Sequence, residues 1–387
     1  MKTSERLDRL PPYLFAELSR KIEEKKAAGV DVISLGIGDP DTPSPPEVVD
    51  ALARAASDPG THQYPSNRGR PEYREAIAAF YERRFGVTLD PSTEIVPALG
   101  GKECIFNLNL AFLDPGDVAL ASDPGYPPYT GGPLLSGAEP VLVPLVPELG
   151  FAPDLDAIAA EDRERARLLF LNYPNNPTGA VVPDGLFERA VEFALTHDVL
   201  VVHDASYTEV TFDGYVAPSF LETAGAREVG VEVFSLSKGW NMTGWRTGAI
   251  VGNAHAVEAY WRLKTNIDSG MFEAVQLAAV AALEQEGDFG AEMSAVYERR
   301  RDFVCDTLAA IGVEVTRPRG TIYVWAPVPA GHTSASYCEL VLEQSGVVVS
   351  PGSAYGPSGE GFFRISLTVP DQRLTEALER LRSSLGG

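Results

Sequence analysis

Residues 231–246 read VEVFSLSKGWNMTGWR. The β-like run Val231-Glu232-Val233-Phe234-Ser235-Leu236 has the apolar, β-branched character of a buried strand, and it gives way to Ser237 and Lys238. Arg246 follows, after a loop that carries Trp240 and Trp245. Lysine is scarce in this chain, seven against 25 arginines, and Lys21, Lys25 and Lys26 crowd one N-terminal segment. A lysine at the end of an apolar strand is therefore a poor match for casual surface charge.

Two other runs end in the same manner. LLFLN (168–172) gives way to YPNNPTG, and LVVHD (200–204) closes on Asp204. In open α/β sheets the binding crevice lies outside the carboxyl ends of the strands. Asn176, Asp204, Tyr207, Ser235, Ser237 and Lys238 are thus expected to converge. Each alone has an ordinary reading: Asp204 as a helix N-cap, NPTG as a turn, Lys238 as a solvated cation. The weight lies in their recurrence at successive strand ends.

At 387 residues, 44% of them hydrophobic, the chain has room for two domains with sizeable cores. Helical and strand-like segments alternate from about residue 46 to 285, among them REAIAAFYERRFG, KECIFNLNLAFL, DVALASDPG and LFERAVEFALTHD. That alternation is the pattern of a mostly parallel sheet covered by helices on both faces. Beyond it come a helix through YERRRDFVCDTLAAIG and strand-like VEVTRP, TIYVWAPV, GVVVSPG and GFFRISLTVP, closed by the amphipathic DQRLTEALERLRSSLG. Residues 14–28 read as another amphipathic helix, with Leu14, Phe15, Leu18 and Ile22 on one face. The expected organisation is a large α/β domain over residues 46–285 and a smaller α+β domain formed by residues 1–45 and 286–387.

A formal net charge of −22 argues against nucleic acid as a partner, since that would need a basic stripe to meet phosphates. The three cysteines, Cys104, Cys305 and Cys338, form no CxxC, so neither a metal site nor a disulfide framework is expected. The reading is a reducing, cytoplasmic compartment. The N-terminus has no apolar signal-peptide core, and no run reaches the roughly 18 apolar residues of a membrane span, so no membrane partner is expected.

Several familiar signatures fail. GIG at 36–38 lacks the third glycine of the dinucleotide fingerprint, and GGKE at 100–103 lacks both P-loop spacing and a following Ser or Thr. No GxSxG occurs, and the five histidines never fall at HExxH spacing. Chemistry has to be built around Lys238. A lysine acts covalently from a partly desolvated place, where the neutral amine can attack a carbonyl. Arg246 suits a phosphate, which a guanidinium grips with two hydrogen bonds. A lysine beside such an arginine points to a phosphorylated aldehyde. Pyridoxal 5′-phosphate further requires an acid opposite its ring nitrogen, and Asp204 is the candidate.

With these residues in view, the chain resembles the class I/II pyridoxal-phosphate-dependent aminotransferases of fold type I over nearly its whole length. That fold implies a mostly parallel seven-stranded sheet between helices, plus a smaller α+β domain. SLSKGWNMTGWR matches the family's Ser-x-x-Lys with its following Arg, which makes Lys238 the Schiff-base lysine and assigns the phosphate to Ser235, Ser237 and Arg246. NYPNNPTG implies that Asn176 contacts the cofactor's phenolic oxygen and the substrate; HDASYTEV implies Asp204 on the ring nitrogen and Tyr207 on the same phenolic oxygen. Tyr126, in DPGYPPY, is implied to stack on the ring. LGGKECIF resembles the loop whose helix-start amides receive the phosphate, a role that suits Gly100 and Gly101. Relatives usually have serine where Gly101 stands, and Lys102 either offsets that loss or is simply exposed. FFRISL implies that Arg364 grips the substrate's α-carboxylate, and LGIGDP that the backbone at Ile37 and Gly38 closes over it. QYPSNRGRPEYREAI carries Tyr64, whose counterpart in the family reaches the phosphate of the neighbouring subunit's cofactor. The resemblance thus implies a homodimer with shared sites, and Lys238, Asp204 and Tyr207 as the catalytic set.

LPPYLFAELSRKIEEKKAAGVDVISLGIGDPDTPSP, KTNIDSGMFEAVQ and FFRISLTVPDQRL are most similar to the bacterial LL-diaminopimelate aminotransferase branch. That implies glutamate and 2-oxoglutarate as the amino partner and a place in lysine biosynthesis. The alternatives are an aspartate or broad-specificity aminotransferase and a pyridoxal-phosphate lyase on the same fold. A DNA-binding regulator would need a basic module ahead of the resemblance, which starts within the first dozen residues; a nicotinamide dehydrogenase would need its glycine fingerprint. Gly239-Trp240 and SNRGRPE depart from the branch. Arg68 or Arg70 either meets a distal substrate carboxylate across the dimer or, the reading slightly favoured, is an ordinary surface charge.

Overall fold

The computed structural model describes residues 1–11, 14–285 and 287–385, with residues 14–19 and 385 described by backbone alone. After a two-residue strand, β1 (Ile33–Ser34), eight strands build the central sheet. They are β2 (Ile95–Ala98), β3 (Val118–Asp123), β4 (Glu139–Val146), β5 (Ala152–Pro153), β6 (Ala166–Asn172), β7 (Leu200–Asp204), β8 (Gly230–Ser235) and β9 (Gly248–Gly252). Their order is β2-β9-β8-β7-β6-β3-β4-β5. From β4 through β3, β6 and β7 to β8 the neighbours run parallel, whereas β9 is antiparallel to both β2 and β8. The seven strands expected are all of these but β5. That piece returns antiparallel on β4 through a turn at residues 147–151, where Gly150 and Phe151 take φ of 69° and 61°.

Every residue of β3, β8 and β9 is buried, which is why these strands read as continuous apolar runs: helices cover both faces. Side chains alternate between two cores. Leu169, Leu171 and Phe234 pack with the helices Pro71–Phe85 and Leu186–His197, while Leu168, Phe170, Val231 and Val233 pack with the helices Gly101–Phe112 and Ala254–Lys264. Glu232 is the charged exception in β8. Its carboxylate accepts hydrogen bonds from the Tyr81 and Ser219 hydroxyls (2.9 and 2.8 Å) and from Phe220 N (2.6 Å), and it stands 2.8 Å from His203 Nδ1.

A third apolar cluster joins Ile33 and Leu35 to the helices Phe289–Ala310, Ser334–Ser345 and Asp371–Leu385 and to the remaining strands. These are β10 (Tyr323–Pro327), β11 (Val347–Val348), β12 (Ser350–Pro351) and β13 (Phe362–Ser366). β13 lies antiparallel between β10 and β12, and β1 pairs parallel with β11, so GVVVSPG is divided between two sheets. VEVTRP forms no strand, contrary to its apolar alternation. Its backbone is engaged elsewhere: Val313 N closes the preceding helix on Leu308 O, and Pro318 O is taken by the Arg301 guanidinium (3.0 Å). Ile22 packs with Leu342 and Val348, while the side chains of Leu14, Phe15 and Leu18 lie outside the described residues. The three cysteines are buried and unpaired. Among the described residues no helix is long and apolar enough to cross a membrane, and no group of His, Cys, Asp and Glu could hold a metal ion.

Candidate active site

Strand order reverses between β3 and β6, and the crevice opens where the parallel strands end. A cavity of about 440 Å³ lies there. Of the residues singled out from the sequence, Ile37, Gly38, Gly101, Lys102, Tyr126, Asn176, Asp204, Tyr207, Ser235, Ser237, Lys238, Arg246 and Arg364 all line it. Gly100 stands directly behind, and Tyr64 stands apart.

The loop after β6 is held by its own amides. Asn172 donates to the Asp204 carbonyl (2.7 Å) and accepts from Asn176 N (2.7 Å), while Asn175 Oδ1 accepts from the Thr178 hydroxyl (2.7 Å). Asn176 Oδ1 is thereby set to accept from Arg364 Nη1 (2.8 Å). Asp204 closes β7, buried, with Oδ2 accepting from the Tyr129 hydroxyl (2.9 Å) and Oδ1 from the Ser206 hydroxyl (2.5 Å). Burial, and then the Asp204 charge, push the Tyr129 phenol well up, so it stays a donor.

Lys238 follows β8, and its ammonium donates to Gly38 O (2.7 Å). Burial pulls its pKa down, with the Arg364 and Arg246 charges adding to that and Tyr323 and Asp39 opposing it. The amine is accordingly less willing to carry a proton than an ordinary lysine. Burial raises the Tyr207 phenol well above its usual value; its hydroxyl meets that of Tyr323 at 3.3 Å. Burial also pushes Tyr323 up, but the Arg364 and Lys238 charges outweigh it and leave that phenol lowered.

Arg364 sits on β13 and is 2% exposed. Its guanidinium lies 3.7 Å from the ring centre of Tyr323 and 4.7 Å from that of Tyr355, and Nη2 donates to Gly36 O (2.9 Å). Its Nε is buried without a hydrogen-bond partner. The loop over it is short of space: a Cβ on Gly38 would fall 2.1 Å from the Tyr323 hydroxyl oxygen. Thr368 pins that loop, donating to Ile37 O (3.2 Å) and accepting from Asp39 N (3.0 Å).

At the opposite end, Gly100 caps the helix Gly101–Phe112 with φ of 82°. A Cβ there would come 2.3 Å from Arg246 Nη2. Arg246 itself takes φ of 54°, a strained value for a non-glycine residue, and donates to Thr243 O (2.9 Å) and Leu99 O (3.1 Å). Ser235, Ser237, Arg246 and the start of this helix form one cup of hydrogen-bond donors. A side chain on Gly101 would begin 3.0 Å from Val233 and 3.6 Å from the Ser206 hydroxyl. Lys102 lines the cavity with its ammonium 5.9 Å from the ring centre of Tyr126.

The chain matches the family Aminotransferase class I and II over residues 30–381. It belongs to that family. The aminotransferase is 56% identical to an LL-diaminopimelate aminotransferase of Desulforudis audaxviator, over 99% of this chain and 98% of the relative. It is 51% identical to one of Moorella thermoacetica, over 100% and 99% of the two chains. In three dimensions it matches substrate-bound BacF of Bacillus subtilis with a TM-score of 0.96, 37% identity and 100% coverage of both chains. The family's enzymes are pyridoxal-phosphate-dependent transaminases, and fold type I is shared throughout.

Five cavity residues escaped the sequence reading: Asp39, Ser206, Thr243, Tyr323 and Tyr355. Tyr129, behind them, escaped it too. Arg68 and Arg70 do not line the cavity; both are partly exposed and ion-paired. Arg68 pairs with Glu258, donates to Ser92 O (2.6 Å) and lies over Trp261 (4.6 Å), and Arg70 pairs with Glu72 (2.8 Å) and Glu273 (2.5 Å). Tyr64 is 89% exposed, in a surface depression with Pro65, Gly270 and Phe272.

Proposed function

We propose that this aminotransferase acts on LL-diaminopimelate, with glutamate and 2-oxoglutarate as the second amino pair, and so serves lysine biosynthesis. The chemistry rests on one observation: Lys238, a desolvated amine, and Arg364, a buried guanidinium with an unpaired Nε, line the same cavity. The choice of substrate is supported by full-length likeness to proteins of that name.

The lining fits pyridoxal 5′-phosphate. The space kept open by Gly100 in front of Arg246, with Ser235, Ser237 and the helix start, suits a phosphate. Bound there, the group supplies an aldehyde for the amine and a ring that accepts the electron pair left when a proton departs. Asp204 would hold the proton on the ring nitrogen, and its two donors, buried Tyr129 and partly buried Ser206, keep its carboxylate aimed. Asn176 and Tyr207 would meet the phenolic oxygen, and Tyr126 would cover the ring. Arg364 orients the substrate through its α-carboxylate, under the loop at Ile37 and Gly38. Lys238 Nζ then takes the proton from the substrate's Cα as general base.

The working form in this reading is a homodimer in the cytoplasm. Tyr64 would reach from one subunit toward the phosphate of the other, which accounts for an exposed aromatic in one surface depression with Phe272, itself 45% exposed. Purified enzyme loaded with pyridoxal phosphate tests the proposal. LL-diaminopimelate, glutamate, aspartate, alanine and an aromatic amino acid are added singly, following the cofactor's visible absorption. Rapid bleaching by LL-diaminopimelate and glutamate, with aspartate slow, is expected; efficient conversion of aspartate with diaminopimelate inert would replace the substrate. Light scattering is expected to give a dimer, and a monomer that turns over at full rate would remove Tyr64 from the site.

A further inference from the structure

A charge cluster built on a buried lysine stands behind the phosphate end of the site, and the reaction makes no use of it. Lys264, the last residue of the helix Ala254–Lys264, is 1% exposed. Its ammonium donates to Asp268 Oδ2 (2.6 Å) and Glu103 Oε1 (3.3 Å). Glu103 also accepts from the Tyr260 hydroxyl, from Asn107 Nδ2 and from Leu99 N (3.2 Å). Asp268 Oδ1 accepts from Gly270 N (2.7 Å).

Glu103 lies in the first turn of the helix that begins at Gly101, about 3 Å further along its axis. The N-terminus of a helix favours anions, so a carboxylate in that turn competes with a phosphate for the same positive end. The cluster also reaches the cup through the backbone: Leu99, whose N–H Glu103 holds, offers its carbonyl to Arg246 Nη2 (3.1 Å). Burial drives the Glu103 carboxyl upward, against the pull of Lys264. Removing the lysine alone would leave an uncompensated carboxylate in a low-dielectric place beside the cup.

We infer that Lys264 is a positioning residue for the cofactor's phosphate. Its ammonium, shared with Asp268, offsets the Glu103 charge, so that Glu103 braces the turn at Leu99 and Gly100 with less repulsion of the phosphate held there and by Arg246. The inference rests on the reading of this cup as the phosphate site.

The test uses holoenzyme resolved of its cofactor, in four forms: wild type, Lys264→Met, Glu103→Gln and the double variant. Each is titrated with pyridoxal phosphate and with pyridoxal, which lacks the phosphate, following quenching of tryptophan fluorescence. Lys264→Met is expected to weaken pyridoxal phosphate by about tenfold to thirtyfold, the scale of a partly buried charge at a helix end, and to leave pyridoxal unchanged. The double variant is expected to recover most of the preference for the phosphorylated form. A purely structural lysine would weaken both ligands alike and gain nothing from the second substitution; either result overturns the inference. Should Lys264→Met fail to fold, Glu103→Gln alone decides. It removes a negative charge behind the cup, so the preference for pyridoxal phosphate must rise, and an unchanged or smaller preference overturns the inference. A wild type with no preference between the two ligands would instead remove the phosphate reading itself.

Discussion

His203 and Asp204 are consecutive residues at the end of one strand, and they enter two buried polar sites of opposite character. His203 joins Glu232, where both carboxylate oxygens have two partners each and the second imidazole nitrogen stands 3.1 Å from Tyr173 O. That site is closed within the chain. Asp204 opens on the cavity, where Arg364 Nε has no partner and Lys238 is held with its ammonium disfavoured. An unmatched buried donor costs about 1–3 kcal/mol. Such a cost marks a place that a ligand completes, whereas a closed node such as Glu232 ties strands and helices together. Both sites are polar and both begin at the end of β7; whether the partners come from the chain itself separates structure from function.

Four substitutions or conditions can break that contrast. The largest effect is expected at Lys238. Lys238→Ala should abolish steady turnover while pyridoxal phosphate is still retained and the unfolding midpoint barely moves; sustained turnover by this variant, measured with any amino acid that bleaches the wild type, would end its role as base. The closed site should respond in the opposite way. Glu232→Ala strands His203, Tyr81 and Ser219 and should lower unfolding stability by about 3–5 kcal/mol in urea titration, with the activity of each folded molecule preserved. A stable variant with poor catalysis would put Glu232 in the wrong class.

A smaller effect is expected for Arg364→Lys, which keeps the charge but loses the planar fork. It should reduce kcat/KM for amino acids by about 2–3 kcal/mol, with the affinity for pyridoxal phosphate unchanged, since hydrogen bonds to charged groups are of that size. Equal loss of cofactor affinity would move Arg364 out of the substrate role. The smallest effect is a pH slope. Because the fold lowers the pKa of Lys238 from 10.5, the unfolded chain binds that proton more tightly. Stability of the cofactor-free enzyme should therefore rise with pH, from the lowered pKa of the native state up to about 10.5, the unfolded value. Denaturation of wild type and Lys238→Met across that window checks it: the wild type should gain on the variant as pH increases, and parallel curves would mean an unperturbed amine.

Much of this was legible in the sequence because strands buried on both faces are apolar throughout, so that polar residues at their ends stand out. Asn176, Asp204, Ser235, Ser237 and Lys238 were found on that ground, and they do share one cavity. Tyr323 and Tyr355 were not, because a tyrosine in TIYVWAPV or SAYG carries no local mark of its neighbours. Tyr323 becomes a cavity residue only when β10 pairs with β13, which puts Trp325 opposite Arg364 and lays the Tyr323 ring against the guanidinium. The same holds for Arg68 and Arg70, whose ion-pair partners Glu258 and Glu273 lie far along the chain. VEVTRP misled for a related reason: apolar alternation is necessary for a strand, but a strand also needs a free neighbour to pair with.

What the sequence by itself determined is the order of elements, the apolar strands and the polar residues at their carboxyl ends. Those follow from local periodicity and from the need to keep polar groups out of a sheet covered on both sides. What only the tertiary structure decided is which donors are satisfied. Glu103 and Lys264, Glu232 and His203, and Asp204 and Tyr129 meet across separations no local pattern encodes. The free energy of a buried polar group depends on its neighbours in space rather than along the chain.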